Sequence, residues 1–261
     1  PAQSLQETDR PVTSDATIAR IAITMGDPGG VGPEVIARAL VRDDVRAACT
    51  AVVVGDAAVM NVAAHSAGLS LRFAAPTAPA TQLPPGAVPV VECHPAPSAG
   101  YPVGRVDAVN GHAAFAWICA GVNMVRNGEA DALVTAPIAK EAMFAAGFTF
   151  PGHTELLSEL CGGCEVRMML AGGGLRAVLE TIHVRLASVP GLITTESLIR
   201  TIGITAEWGT RHVTPRPRIA VCGLNPHAGE AGHFGTEEAD TILPAIDEAR
   251  EPIGRTKAGR G

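Results

Sequence analysis

Aromatic side chains are nearly missing from this chain: Phe, Trp and Tyr make up 3 % of its 261 residues, with a single Tyr. Its core must therefore be built from Ala, Val, Ile and Leu, and the aromatic platforms on which single-stranded nucleic acid stacks are scarce. Positive charge is also short. The 20 Lys and Arg against 26 Asp and Glu leave a formal net charge of −6, which argues against a nucleic-acid or anionic-membrane partner. No apolar run reaches the roughly 18 residues of a membrane span. Residues 1–16 lack a basic start followed by an apolar stretch, so they read as a flexible tail rather than a secretory signal, and the expected location is the cytoplasm. Six cysteines are present, Cys49, Cys93, Cys119, Cys161, Cys164 and Cys222. Mostly set among apolar or small residues, they are expected to be buried free thiols.

Apolar content is plentiful: 47 % hydrophobic against 18 % charged residues supports a sizeable core in one large domain or two small ones. Short β-branched runs at 18–25, 51–54, 88–91, 131–135, 168–170, 177–181 and 218–222 read as strands, those at 18–25 and 131–135 as buried ones. Helical spacing is expected at 34–41, 57–68, 110–127, 140–146, 194–206 and 236–250. Strands alternating with helices imply an α/β fold with a mainly parallel sheet. The proline-rich stretch 75–105 reads as loops and strand edges. No internal repeat is present.

Four segments carry candidate chemistry. Gly26 to Glu34 joins a strand to a helix; its glycines suit either a tight structural turn or a loop approached by a ligand, and it does not match the GxGxxG dinucleotide pattern. In Pro151-Gly152-His153-Thr154-Glu155, Thr154 reads as a helix cap, and His153 is either a surface residue or a donor to an anion. His183 and His227 each stand just past an expected apolar strand, where ligands gather in open α/β sheets. Together they form a reasonable pair of first-row metal ligands, though either alone reads as an ordinary core histidine. His233 is the spare, suited to a surface position at a helix start. Lys140 is the candidate catalytic lysine, set against a solvated first-turn residue as the plain alternative. Cys161-Gly162-Gly163-Cys164 has redox or half-site zinc spacing but no second pair nearby, and reads as incidental.

Five runs in order resemble the 4-hydroxythreonine-4-phosphate dehydrogenase family: IleThrMetGlyAspProGlyGlyValGlyProGlu at 23–34, ThrAlaProIleAlaLys at 135–140, ProGlyHisThrGluLeuLeu at 151–157, ThrIleHis at 181–183, and GlyLeuAsnProHisAlaGlyGluAlaGlyHisPheGlyThrGluGlu at 223–238. The resemblance extends from about residue 18 to about 250. It implies a two-lobed α/β/α fold similar to isocitrate and isopropylmalate dehydrogenases, with lobes expected at 17–130 and 131–261, the second carrying the histidines. It also implies substrate contacts at His153 and Thr154, and two of three divalent-metal ligands at His183 and His227, the metal being zinc, magnesium or cobalt. NAD or NADP is the implied cofactor, with no residue of this chain assigned to it, and the implied assembly is a homodimer with the metal at its interface. The implied reaction is oxidation of 4-phosphohydroxy-L-threonine to a β-keto acid that decarboxylates, a step of pyridoxal phosphate synthesis.

A sister activity on D-threonate or D-erythronate 4-phosphate is the nearest rival, and a remnant that binds metal or ligand without turnover is the rival from another class. The family's sequence continues past the point matched by residue 261, with a TyrHisAspGlnGly-type motif carrying the third metal histidine. The fold is therefore expected to be incomplete at the C-terminus, and the chain alone inactive or nearly so.

Overall fold

A computed structural model describes residues 18–76, 83–150 and 152–250. The expected tail, Pro151 and the segment 251–261 lie outside the described residues. Chain contacts divide at Cys164 and Glu165. The boundary expected at 130–131 falls inside the first of these units.

The first unit is built on five parallel strands, β1 (Ala19–Thr24), β2 (Cys49–Val54), β3 (Phe73–Ala74), β4 (Val88–Val91) and β5 (Ala132–Thr135), in the order β3-β4-β2-β1-β5. Ile23 lies opposite Val53 on one side and Val134 on the other. Helices connect the strands: α1 (Gly32–Leu40), α2 (Asp43–Ala48), α3 (Ala57–Ser66), α4 (Ala108–Arg126), α5 (Lys140–Ala145) and α6 (His153–Leu160). The core is aliphatic, as the composition requires: Ala22, Val53, Val54, Val90, Ile36 and Leu40 close around Met25, Met60, Phe73 and Trp117. Caps fix the helix starts. Asp56 accepts from the Val59 N–H and Asp107 from the Val109 N–H, each satisfying an amide that the helix cannot.

β5 departs from expectation. It was expected to be buried, but it is the sheet's edge strand, with Ala132 and Val134 exposed. An apolar run specifies a strand; it does not specify which faces and edges other elements cover.

The second unit opens on an antiparallel hairpin, β6 (Met169–Gly172) and β7 (Leu175–Val178), closed by Gly173 and Gly174 at φ 55° and 82°. Two central residues of positive φ give the turn whose twist matches the strands, and glycine adopts it without cost from a Cβ. These two segments were expected to join a mainly parallel sheet; two residues of loop permit only an antiparallel return. The short α7 (Val189–Leu192) leads to α8 (Thr195–His212), capped by Thr194. A widened π turn over Glu238–Ile242 continues into α9 (Leu243–Arg250). Leu198 of α8 and Ile242 and Ala245 beside it form the unit's own core. The strand expected at 218–222 is absent: that segment belongs to no strand or helix.

Candidate active site

The turn after β1 is explained by the protein's own contacts. The Asp27 N–H donates to Pro137 O at 3.0 Å, and Gly104 N–H to Gly29 O at 2.9 Å. A Cβ on Gly26, at φ 73°, would strike Pro137 O, and one on Gly29 would strike Pro102 O. The glycines thus let backbone approach backbone, with no need of a ligand. Asp27, 8 % exposed, turns its Oδ1 inward to accept from Gly29 N at 2.8 Å and Asn110 Nδ2 at 2.9 Å. Asn110 was not singled out from sequence, since a lone Asn in an apolar helix carries no distinguishing pattern.

Where β2 and β4 end, a cleft of about 570 Å³ is lined by Asp56, Glu92, Cys93 and His94 among others. Its carboxylates are already engaged at the start of α3, Glu92 accepting from Ala57 N at 2.9 Å. None of the expected site residues lines it. The neighbouring Tyr101 phenol is pushed up to about 12, by burial first and then by the charge of Asp56.

Lys140 and His153 occupy the first turns of α5 and α6. The two are close enough for the lysine's charge to act on the imidazole. Burial first, and Lys140 second, hold the His153 pKa below its ordinary value, and its Nε2 is buried with no hydrogen-bond partner. Burying an unpaired polar atom is costly, so this nitrogen is left with an open hydrogen-bonding position. Thr154 does not cap the helix as expected. Gly152 occupies that position without a side-chain bond, and Thr154 lies two residues further in, half-buried. Helix starts are the least certain feature of sequence patterning, and the shift is of one or two residues.

His183 and His227 both belong to the second unit, and both are exposed. Neither follows a strand directly: β7 ends at Val178, five residues before His183, and no strand precedes His227. Both have left-handed backbone, φ 55° and 52°. The other non-glycine residues with positive φ among the described residues are Ala228, Glu230 and Ala231. All such strain therefore lies at these two histidines or within four residues of one. Left-handed backbone costs a residue with a Cβ about 1–2 kcal/mol and persists where the surroundings over-determine it, commonly at functional sites.

Two carboxylates anchor the neighbouring chain. Glu180 accepts from the Ser197 hydroxyl and, at 2.5 Å, from the Thr201 hydroxyl of α8. Glu238 accepts from the N–H groups of Asn225 and Leu224, and the bonds from Asn225, backbone first and side chain next, hold its pKa below the usual carboxylate range. Glu180 opens the motif that ends at His183, and Glu238 closes the run 223–238, but the sequence assigned neither a role; for Glu238 the available signal was its acidic charge in the first turn of an expected helix. His233 is exposed in the turn before that helix. Among the described residues no group of three or more His, Cys, Asp or Glu side chains is placed to hold a metal ion.

All six cysteines are free, as expected, but none is fully buried: Cys93, Cys164 and Cys222 are exposed and the others half-buried. Alternating small residues filled the neighbouring sequence without marking which face was covered. Burial, as the first cause, pushes the Cys161 thiol up, which leaves it less nucleophilic and supports the incidental reading of the Cys161–Cys164 spacing. No helix of the described residues is long and apolar enough to cross a membrane.

The family model of the pyridoxal phosphate biosynthetic protein PdxA matches residues 47–258. A 4-hydroxythreonine-4-phosphate dehydrogenase of Trichlorobacter lovleyi is 45 % identical over 234 residues, 88 % of this chain and 70 % of the relative. A D-threonate 4-phosphate dehydrogenase of Cupriavidus necator is 42 % identical, over 88 % of this chain and 69 % of its own length. The crystal structure of a 4-hydroxythreonine-4-phosphate dehydrogenase from Burkholderia phymatum superposes with a TM-score of 0.81 at 36 % identity, covering 90 % of this chain and 72 % of that one. With a mixed α/β fold, a parallel sheet and a family match over most of its length, the chain belongs to the PdxA family of pyridoxal phosphate biosynthetic proteins.

Proposed function

We propose that this protein oxidises 4-phosphohydroxy-L-threonine with NAD or NADP and a divalent metal. The secondary alcohol carbon gives a hydride to the nicotinamide and the hydroxyl gives up its proton, leaving a β-keto acid. Loss of carbon dioxide from that acid yields 3-amino-2-oxopropyl phosphate. The observation that carries the reading is the confinement, among the described residues, of strained non-glycine backbone to the His183 and His227 segments, in a chain of this family.

His153, Thr154 and Lys140 suit the phosphate end of the substrate. The buried Nε2 of His153 has no hydrogen-bond partner, a place a phosphate oxygen would fill, and Lys140 contributes charge. A depressed pKa leaves His153 neutral at physiological pH, so it would donate as the Nε2–H tautomer. Lys140 thereby binds and orients, and no proton transfer is assigned to it.

His183 and His227 would hold the metal. Imidazole suits zinc and cobalt, and magnesium less well. Two imidazoles are fewer than the three protein ligands common at catalytic zinc, so the remaining positions would fall to other donors. A metal so held polarises a substrate hydroxyl and steadies the negative charge left when its proton departs. No residue is assigned to the nicotinamide cofactor, since the free faces of Gly26 and Gly29 are filled by Pro137 and Pro102. A homodimer is part of the same reading.

The second reading is oxidation of D-threonate or D-erythronate 4-phosphate. It is favoured by the relative of that activity at 42 % identity, close to the 45 % of the other class. Reduction of NAD and NADP is measured with each substrate, with and without added zinc, magnesium or cobalt, beside a His183→Ala control. Metal-dependent turnover of the hydroxythreonine phosphate that is lost in the control supports the first reading. Preference for the threonate phosphate replaces it with the second. Ligand-induced stabilisation without turnover, in folded protein, favours the binding-only alternative.

A further inference from the structure

We propose that Glu238 is a positioning residue for His227, an inference that rests on the metal reading above. Its side chain is 7 % exposed and is enclosed by the loop it holds. Oε1 accepts from Leu224 N at 2.8 Å and Asn225 N at 2.7 Å, and Oε2 accepts from Asn225 Nδ2 at 3.0 Å. The same Asn225 amide reaches Glu237 Oε2 at 2.7 Å. A Cβ on Gly223 would come within 3.3 Å of Oε1, and one on Gly229 within 3.1 Å of Oε2. The loop thus closes round the carboxylate from both sides, and His227 lies on it between Asn225 and Gly229.

Each of these bonds goes to the backbone or to Asn225, so Glu238 acts on His227 through the loop. Asn225 O accepts from Ala228 N at 3.2 Å, and His227 O accepts from Glu230 N at 3.1 Å, a tight turn that runs through four left-handed residues, His227, Ala228, Glu230 and Ala231. Such a turn relaxes once its anchor is removed. The anchor itself is tied to the unit's core: Glu238 begins the π turn whose Ile242 packs with Leu198 of α8. The chain of support therefore runs from the packed pair α8 and α9 to Glu238, to Asn225, and to the imidazole. Charged carboxylates that fix a ligand-bearing loop raise metal affinity by pre-setting its geometry.

The test compares Glu238→Ala, Glu238→Gln, Asn225→Ala and His227→Ala in the full chain, by amide hydrogen exchange without metal and by titration with cobalt(II) followed by its visible absorption. Glu238→Ala is expected to speed exchange over residues 223–235 about tenfold or more, leave the β6–β7 hairpin unchanged, and weaken cobalt binding about 10–100-fold. Glu238→Gln keeps an oxygen for the two backbone N–H groups and should restore affinity to within about threefold. Asn225→Ala, which leaves those two bonds intact, should weaken binding roughly 3–10-fold and carries the test if Glu238→Ala does not fold. Unchanged exchange in Glu238→Ala overturns the inference, as does faster exchange with full cobalt affinity. Cobalt binding that survives His227→Ala would instead remove the metal reading, and the positioning role with it.

Discussion

Replacing Asp27 measures how far the turn after β1 is held by the protein itself. Asp27→Ala removes two bonds, from Gly29 N at 2.8 Å and Asn110 Nδ2 at 2.9 Å. The Gly29 N–H would be left buried without an acceptor, at about 1–3 kcal/mol. The Asn110 amide keeps its bond to Pro102 O at 2.8 Å, so its loss is nearer the roughly 1 kcal/mol of one hydrogen bond. Relief of carboxylate desolvation offsets part of this sum of about 2–4 kcal/mol, and a net loss of about 1–3 kcal/mol is expected. Asp27→Asn keeps an oxygen at the same place and should cost under about 1 kcal/mol. The chain's two tryptophans allow the first unit to be watched alone: Trp117 is fully buried there, and Trp208 lies in the second unit. In a Trp208→Phe background, denaturant unfolding followed by fluorescence reports on the Trp117 environment. Equal losses for Ala and Asn would show that charge, not hydrogen-bond acceptance, matters at Asp27. A loss below about 1 kcal/mol for Ala would refute the structural reading of the turn.

Lys140→Met should raise the His153 pKa only part of the way back to 6.5, because burial is the larger cause; full restoration, read by NMR of the imidazole ring, would contradict that order. Since folding lowers this pKa, the unfolded chain binds the proton more readily. The contribution of His153 is complete above pH 6.5 and declines as pH falls from there through the lowered folded value. In His153→Gln that part of the acid-side loss of thermal stability should vanish. Alkylation by iodoacetamide at neutral pH, followed by peptide mass spectrometry, should reach exposed Cys164 and Cys222 before Cys161, whose thiol burial pushes up; equal rates would revive a reactive role for the Cys161–Cys164 pair.

Most of the first unit was legible because its signals are local. Short β-branched runs located β1, β2 and β4, and Phe115, Ile118, Val122 and Val125 fixed the face of α4, where Ile118 and Val122 are buried. What sequence could not supply was pairing. The runs at 168–170 and 177–181 look like any other short strands, yet the turn glycines Gly173 and Gly174 between them decide for a hairpin. The run at 218–222 is equally apolar and forms no ladder, because a strand exists only where another offers its hydrogen bonds.

The candidate site divides along the same line. His153, Lys140, His183 and His227 could be named from their motifs, because chemistry-bearing side chains stand in recognisable runs. The groups that hold those runs could not, because their effect depends on long-range closure: Asn110 reaches Asp27 across 83 residues, and Glu180 reaches Thr201 across 21. A buried carboxylate that accepts from backbone N–H groups looks, in sequence, like any acidic residue near a helix start. Only its enclosure separates it from a solvated one. The left-handed backbone at His183 and His227 is hidden in the same way, since neither residue is a glycine and nothing in the composition warns of a positive φ. Its cost has to be met by contacts elsewhere in the second unit. For His227 those contacts are Glu238 and Asn225. For His183 the nearest anchor is Glu180, three residues earlier, bonded to Ser197 and Thr201. Both anchors lead back to the core shared by α8 and α9, so the placement of two histidines far apart in sequence reduces to the packing of one helix pair.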